Sequence, residues 1–356
     1  MTGLHTAICD LFGVRYPIVQ TGMGYVSGPR LTSATANAGG LGIIAGATLS
    51  LSDLDAAIVE TKRRTERPFG VNLRADAPDA PARVELLIRE QVKVASFALA
   101  PRPELIERLK EAGVVVVPSV GARRHAEKVA AMGADAVVVQ GGEGGGHTGP
   151  VPTSLLLPQV VDAVDIPVIA AGGFFDGRGL VAALAYGAAG IAMGTRFLLT
   201  TDSPVAAEVK QLYLSASVTD TVLTDALDGV PQRLLRTPFV DRIVHTGPTR
   251  RLLRSVRSAA AFRRHSGSSW RDMVREGRSM RRAHDLRLSQ VLLAANTPAL
   301  LRAAIVDGRP EIGVLATGQV TGLIEDLPSC AELIERIVAQ AEDVLASLTK
   351  GGRDAG

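Results

Sequence analysis

From residue 17 to about residue 193 the chain repeats one hydrophobic pattern. Short apolar or β-branched runs bounded by turn residues occur at Pro17 to Gln20, Gly42 to Ala45, Phe69 to Leu73, Val92 to Ala98, Val114 to Pro118, Ala136 to Gln140, Pro167 to Ala171 and Gly190 to Met193. They read as eight strands. Between and after them, apolar positions at helical spacing predict helices over Arg30 to Ala38, Leu51 to Arg64, Arg83 to Glu90, Pro103 to Ala112, Arg123 to Met132, Ser154 to Val164, Gly177 to Tyr186 and Pro204 to Ser215. Ser, Asp or Pro often marks their starts, and Gly their ends, as in Ala112-Gly113 and Met132-Gly133. Strict alternation of strand and helix implies a parallel sheet with right-handed crossovers. Eight units predict a closed (β/α)8 barrel, and an open doubly wound sheet is the alternative, because strand order is not written in the sequence.

The strand count is complete near residue 200, so the remainder needs its own account. The expected division is a barrel from residues 1–200 plus 311–356 and an appended, mainly helical, Arg-rich domain from 201–310. Within the latter, Arg250 to Arg287 carries many arginines at spacings of three and four, with Leu252, Leu253, Val256, Phe262, Trp270 and Met273 available for an opposite helical face. This segment reads either as a solvated basic face or as a landing site for a phosphate-rich ligand, since guanidinium forks hold phosphate bidentately. Gly313 to Gly322 reads as a glycine-punctuated loop, and Ala331 to Leu348 as a closing amphipathic helix packed on the barrel.

With 356 residues, 46% apolar and 21% charged, the chain can bury a large core. A net charge of +3 gives no whole-chain support for nucleic-acid binding. Cys9 and Cys330 lie at opposite ends without CxxC spacing, which argues against a metal ribbon or a disulfide scaffold and suits a reducing cytoplasm. Neither a signal peptide nor a membrane-spanning helix is predicted. Assembly into a homo-oligomer is left open.

The candidate chemistry concentrates at strand ends, which share one face of such a barrel. The run Gln140 to Gly149 follows an apolar strand, is rich in glycine and carries two titratable groups, Glu143 and His147. A backbone so bare can pass close to a ligand, and a histidine exchanges protons near neutral pH. Gln20 to Gly24 follows the first strand, Asn72 lies at the third, Gly172-Gly173-Phe174 follows the seventh and Gly194-Thr195-Arg196 the eighth. Glycines with bare backbone N–H groups and a hydroxyl at Thr195 are what a phosphate site needs. No HExxH, Walker A, GxSxG elbow or GxGxxG after a first strand occurs, which removes zincins, P-loop enzymes, serine hydrolases and Rossmann dehydrogenases.

Gln20-Thr21-Gly22-Met23-Gly24, Asn37 to Gly42, Gly70-Val71-Asn72, Gly141 to Gly149, Ile166 to Gly173 and Met193 to Phe197 together resemble the nitronate monooxygenase family, which includes FMN-dependent enoyl-acyl carrier protein reductases. The resemblance runs in order from about residue 10 to 200 and resumes at Gly318-Gln319. It implies a TIM barrel holding FMN with a smaller substrate domain inserted late. It implies flavin contacts at Gly22, Met23, Gly24, Asn72, Gln140, Gly172, Gly173, Gly194, Thr195 and Gln319, with His147 the active-site acid or base. Ser269 to Met273 and Leu292 to Pro298 further resemble a subgroup of flavin-dependent double-bond reductases of bacterial steroid degradation. That likeness implies a CoA thioester of a methylated hydrindanone as substrate, and the expected reductant is NADH or NADPH. Arg263, Arg264, Arg271 and Asn296 are taken from the basic segment and its neighbourhood as the candidate substrate contacts. The alternatives are a nitronate monooxygenase, in which reduced flavin meets oxygen, and a binding module that stores flavin or CoA without turnover. No metal is expected.

Overall fold

The computed structural model describes residues 4–245 and 297–351. Up to Met193 its strands are β1 (Ile18–Gln20), β2 (Leu41–Ala45), β3 (Phe69–Arg74), β4 (Val94–Ala98), β5 (Val115–Val120), β6 (Val137–Gln140), β7 (Gly146–His147), β8 (Val168–Ala171) and β9 (Gly190–Met193). All but β7 join in sequence order into one closed parallel barrel, in which Ile18 of β1 lies opposite Ile191 of β9. Closure settles the choice between barrel and open sheet. The apolar runs follow from this architecture, because each strand is covered on both sides. Alternate residues divide between two layers: Ile43, Val94, Val115, Val117, Val138 and Ile169 cluster with Ile8 and Phe12 of α1 (Ala7–Phe12). Ile44, Ala95, Phe97 and Val116 instead pack with Leu54, Ile58, Leu87, Ile106 and Leu109 from the surrounding helices. Full burial of each such aliphatic side chain contributes roughly 1.5–3 kcal/mol.

The helices between strands are α2 (Pro29–Asn37), α3 (Leu51–Arg64), α4 (Ala80–Arg89), α5 (Pro103–Glu111), α6 (Arg123–Ala131), α7 (Thr153–Val161) and α8 (Gly177–Ala185), followed by the single turn α9 (Thr195–Leu198). Ser50 caps α3 by accepting the Asp53 N–H, and Asp176 caps α8 by accepting the Gly179 N–H. Helix α4 starts three residues before the Arg83 expected from the pattern, with a proline in its first turn. Arg83 itself is buried, pairing with Asp79 and donating to the carbonyls of Gly46 and Leu49. It therefore fastens α4 to the connection between β2 and α3.

The closing helix, Cys330–Gly351, packs on α8 and α2 as its amphipathic pattern requires. Gly177 permits the approach: a Cβ there would lie 2.5 Å from the backbone of Ile337 and Ala341, and its N–H donates to Gln340. Cys330, at the start of this helix, lies buried beside Thr35 and Thr200, and burial pushes its thiol up to about 12. Cys9 is likewise a buried free thiol.

Ahead of that helix, Asp326 joins two arginines. It accepts from Nη1 of the buried Arg196 at 2.9 Å and from Nη1 of Arg336 at 2.6 Å, while Arg196 also donates to the carbonyls of Leu199 and Asp326. Partial burial works to raise the Asp326 carboxyl, but the hydrogen bonds from Arg336 and Arg196 outweigh it and hold the group below the usual carboxylate value. A depressed folded pKa means that this contribution is complete above the ordinary carboxylate range and is lost as the pH falls through the lower folded value. Asp326→Asn, which leaves the Arg196 guanidinium facing a neutral group, is expected to destabilise the fold by roughly 1–2 kcal/mol, a figure reduced because Asp326 is 46% exposed. Thermal denaturation at neutral and acidic pH checks this. The difference between wild type and variant should shrink on acidification.

The chain divides into two units. One comprises the residues up to Gly144, Thr148–Pro204 and those from Leu323 onward; the other comprises Gly145–His147 and the described part of Val205–Gly322. In the second unit α10 (Ala207–Leu214) precedes an antiparallel pair, β10 (Thr221–Thr224) and β11 (Gln232–Leu235), whose other edge carries β7. Helices α11 (Pro238–Val244) and α12 (Thr297–Ile305) follow. Leu227, Leu234, Val240 and Val314 form its core, with Phe239, Ile243, Leu300 and Leu301 packed against them. Residues 311–322, expected with the barrel, are tied to this unit instead. Leu235 N–H donates to Leu315 O, Ala316 bridges to Leu234, and the wholly buried Tyr213 donates its hydroxyl to Ala316 O. Burial raises that phenol above its ordinary value. The three-stranded sheet is an addition to the mainly helical domain expected from the sequence.

Candidate active site

In the barrel unit the loops after β1, β6, β8 and β9 carry most of the residues singled out above, while Asn72 lies within β3, paired with Ala45 and Ser96, and Gln140 is the last residue of β6. The β1 loop is braced from within. Gln20 is fully buried and its Nε2 donates to Ser27 Oγ at 2.9 Å, to Ile43 O at 3.2 Å and to Thr21 O. Ser27 Oγ in turn accepts the Met23 N–H and donates to Thr21 O, each at 2.9 Å. The two polar side chains thus fix the turn that presents Gly22, Met23 and Gly24.

Close packing explains the glycines of this loop. A Cβ on Gly22 would lie 2.5 Å from Cβ of Asn72, and one on Gly24 would lie 2.9 Å from Thr48 Cγ2. Gly22 therefore brings the β1 loop directly onto Asn72 within β3, whose Nδ2 donates to Ser96 Oγ at 3.3 Å. Gly194 meets the same loop from β9: a Cβ there would lie 3.3 Å from Thr21 Oγ1 and 3.5 Å from Met23 Sδ. Thr195, next in the chain, is buried. Gly172 and Gly173 after β8 have φ values of +99° and +83°, a backbone conformation that disfavours any side chain. At Gly173 a Cβ would meet nothing nearer than Glu143, at 3.7 Å, so the backbone here is open to close approach by a ligand.

Glu143 organises its loop. Its carboxylate accepts the Thr153 N–H at 2.9 Å and the Thr153 hydroxyl at 2.7 Å, at the first residue of α7, where a helix N-terminus favours negative charge. The Thr153 hydroxyl also lies 3.1 Å from Gly172 O, and Thr148 donates to Gly141 O at 2.8 Å. Gln140 packs its amide against Gly144, where a Cβ would lie 2.6 Å from Nε2. Gln140, Gly172 and Gly173 are thus joined through the Gly141 to Gly144 turn and Thr153. This set of tight, side-chain-free turns with adjacent amides and hydroxyls fits a phosphorylated, planar cofactor.

In the second unit the decisive contact is one that sequence reasoning missed. His147 Nε2 lies 2.8 Å from Oδ2 of Asp228, a side chain 9% exposed beside an imidazole 56% exposed. Asp228 Oδ1 accepts the Val230 N–H at 3.1 Å, which holds the carboxylate in the turn before β11. Register completes the arrangement, since His147 pairs directly with Gln232 and Gly146 with Arg233. The two members of the dyad lie 81 positions apart, and no local motif announces Asp228. Gly145 packs on Thr317 and Gly318, and Gln319, in the same unit, begins the short 3-10 helix Gln319–Leu323. Arg263, Arg264, Arg271 and Asn296, with the rest of the basic segment, lie outside the described residues. Among the described residues there is no His, Cys, Asp or Glu cluster suited to a metal, and no helix long and apolar enough to cross a membrane.

Comparison with known proteins agrees with this geometry. The nitronate monooxygenase family model matches residues 5–82 and 80–340. The chain is 62% identical over 341 residues to a protein of Mycobacterium tuberculosis strain H37Rv, covering 95% of this chain and 96% of that one. That protein is named (3aS,4S,5R,7aS)-5-hydroxy-7a-methyl-1-oxo-octahydro-1H-indene-4-carboxyl-CoA dehydrogenase. A protein of the same name from Rhodococcus jostii strain RHA1 is 59% identical, covering 96% of this chain and 97% of its own length. Among solved structures, FabK from Thermotoga maritima superposes with a TM-score of 0.80 at 35% identity, covering 97% of this chain and 98% of that one. The barrel, its glycine loops and this degree of likeness together establish that the chain belongs to the nitronate monooxygenase family and is a flavin-dependent oxidoreductase.

Proposed function

We propose that the protein, with FMN bound, reduces a conjugated carbon–carbon double bond of a CoA thioester at the expense of NADH or NADPH, hydride being added at the carbon β to the carbonyl and a proton at the α-carbon. The proposed substrate is a hydrindanone carboxyl-CoA intermediate of steroid breakdown. The observation that carries this reading is near-full-length identity of about three residues in five with relatives named for a CoA ester of that skeleton. Their name writes the reaction from the saturated side, as a dehydrogenation. Removal of hydrogen from the carbon bearing the thioester and from its ring neighbour gives a conjugated double bond. Reduction is the microscopic reverse through the same transition state.

Bound flavin supplies the hydride acceptor and donor. The residues that would hold it are Gly22, Met23, Gly24, Asn72, Gln140, Gly172, Gly173, Gly194 and Thr195, with Gln319 expected from the family resemblance; the phosphate would take the amides after β8 and β9. His147 would donate the proton to the α-carbon on reduction and remove it in the reverse direction. The thioester makes that proton acidic enough for an imidazole to handle. The second unit, with Arg263, Arg264, Arg271 and Asn296, would take the CoA moiety, whose pyrophosphate and ribose phosphate suit guanidinium forks.

Anaerobic reduction of the yellow protein, followed at the flavin band, tests the reading. Bleaching by NADH or NADPH and recovery of colour on adding the unsaturated CoA thioester are expected. Bleaching by an alkyl nitronate alone, with recovery only on admitting oxygen, would support the nitronate oxidation for which the family is named. Charge reversal in the basic segment separates the same readings. Arg263→Glu with Arg264→Glu should weaken the thioester roughly ten- to a hundredfold for each guanidinium–phosphate hydrogen bond removed, as read from KM, with flavin content and the rate of bleaching near wild type. A scan of the other arginines between 250 and 287 extends the test to the pairs that face the ligand.

A further inference from the structure

We propose that Asp228 is the positioning residue for His147: it fixes the imidazole as the Nε2–H tautomer and reserves Nδ1 for proton exchange with the substrate. This rests on the role given to His147 above. The geometry is asymmetric in an informative way. Asp228 is nearly buried and His147 is more than half exposed, so the carboxylate is the fixed partner and the ring is the group presented outward. Burying a carboxylate is costly unless it is hydrogen-bonded, and this one is held by the Val230 N–H and the imidazole. An ionised carboxylate can only accept, so a neutral ring bonded to it through Nε2 must carry its proton there. Nδ1 then holds the lone pair when the imidazole acts as base and the transferable proton when it acts as acid. Two further constraints keep the ring in place: β7 pairs with β11, and Asp228 is pinned through Val230 only two residues before Gln232, the partner of His147. A base oriented by a third group is the general arrangement of proton-transfer sites.

A purely structural carboxylate would serve only to hold the turn through Val230. Asp228→Asn keeps that bond, since the amide oxygen still accepts it, but turns an N–H group toward Nε2. The ring must then accept through Nε2 and move its proton to Nδ1. The experiment compares wild-type and Asp228→Asn holoprotein labelled with 15N-histidine, reading the ring nitrogen shifts at alkaline pH, and measures kcat and KM for the CoA thioester. Wild type is expected to show His147 as the Nε2–H tautomer and the variant as Nδ1–H. The variant kcat should fall at least ~10-fold, with KM and flavin content nearly unchanged, because the wrong tautomer blocks proton transfer without disturbing binding. A wild-type Nδ1–H tautomer, or an Asn variant with wild-type kcat, overturns the inference. If the Asn variant does not fold, the wild-type tautomer still decides. If wild type turns over no CoA thioester, the proposed function fails while the tautomer continues to test Asp228.

Discussion

Gly194→Asp is expected to purify folded and colourless. The Cβ itself asks for a small adjustment, since its nearest neighbours are Thr21 Oγ1 at 3.3 Å and Met23 Sδ at 3.5 Å, both side-chain atoms that can give by a few tenths of an ångström, and the φ of −102° is one that any residue adopts. Steric damage should therefore be slight and the thermal midpoint close to that of the flavin-free wild type. The charge is the active ingredient. A carboxylate placed among the amides proposed to take the FMN phosphate removes a favourable approach and adds repulsion between like charges in a partly desolvated loop. Removing even two charge-assisted hydrogen bonds, at about 1.5–3 kcal/mol each, reduces affinity by a hundredfold or more. Gly194→Ala serves as the control and should keep most of its colour. Gly173→Asp is a less clean probe, because φ there is +83° and a new carboxylate would approach Glu143, confounding strain with charge. Full flavin occupancy in Gly194→Asp would move the phosphate away from β9.

His147→Ala should leave the protein yellow and reducible by nicotinamide while slowing thioester turnover by roughly a hundredfold or more, the range for a lost general acid or base. The two half-reactions divide the question. Hydride delivery to the flavin requires no proton from this ring, so stopped-flow bleaching should match wild type. Reoxidation by the unsaturated thioester requires a proton at the α-carbon and should become the slow step. Truncation also strips Asp228 of a partner and leaves a nearly buried carboxylate facing water or nothing, so some loss of stability in the second unit is expected. His147→Gln, which can still bond Asp228 but cannot carry the proton, should restore the stability and not the rate. Unchanged turnover in both variants would assign the proton to solvent or to another residue.

The barrel was legible because its strands are covered on both faces. A run such as Val137 to Val139 is apolar at successive positions, and glycines and prolines often mark where the runs stop. Helix ends were less legible: α4 starts three residues early, at Ala80 with a proline in its first turn, and Arg83, polar by type, is drawn inward by the carbonyls of Gly46 and Leu49. Such tertiary override of local preference cannot be seen in a window of neighbours. The strand β7 was invisible for a different reason. It is two residues long, lies in a glycine run and exists only by pairing with a strand some 85 positions downstream. Asp228 shares that fate, since nothing near it in sequence points to a histidine. His147 drew notice as a candidate because an imidazole in a glycine run at a strand end stands out by type; what the structure adds is its contact with Asp228. The attachment of residues 311–322 to the second unit depends on the carbonyls of Leu315 and Ala316, and backbone acceptors leave no trace in residue type.

The division of the chain has a consequence for recombination within the family. Exchanging Val205–Gly322 between two relatives looks like moving one continuous insert, but the unit also owns Gly145–His147, which stays behind in the recipient. Such a chimera would offer a resident β7 to a foreign β11 and a resident imidazole to a foreign Asp228, so the graft breaks at the pairings of Gly146 with Arg233 and His147 with Gln232. A functional transplant therefore needs two cuts of very unequal size, a long segment and a three-residue one. The short piece carries the imidazole on which, under the proposed function, proton chemistry would depend.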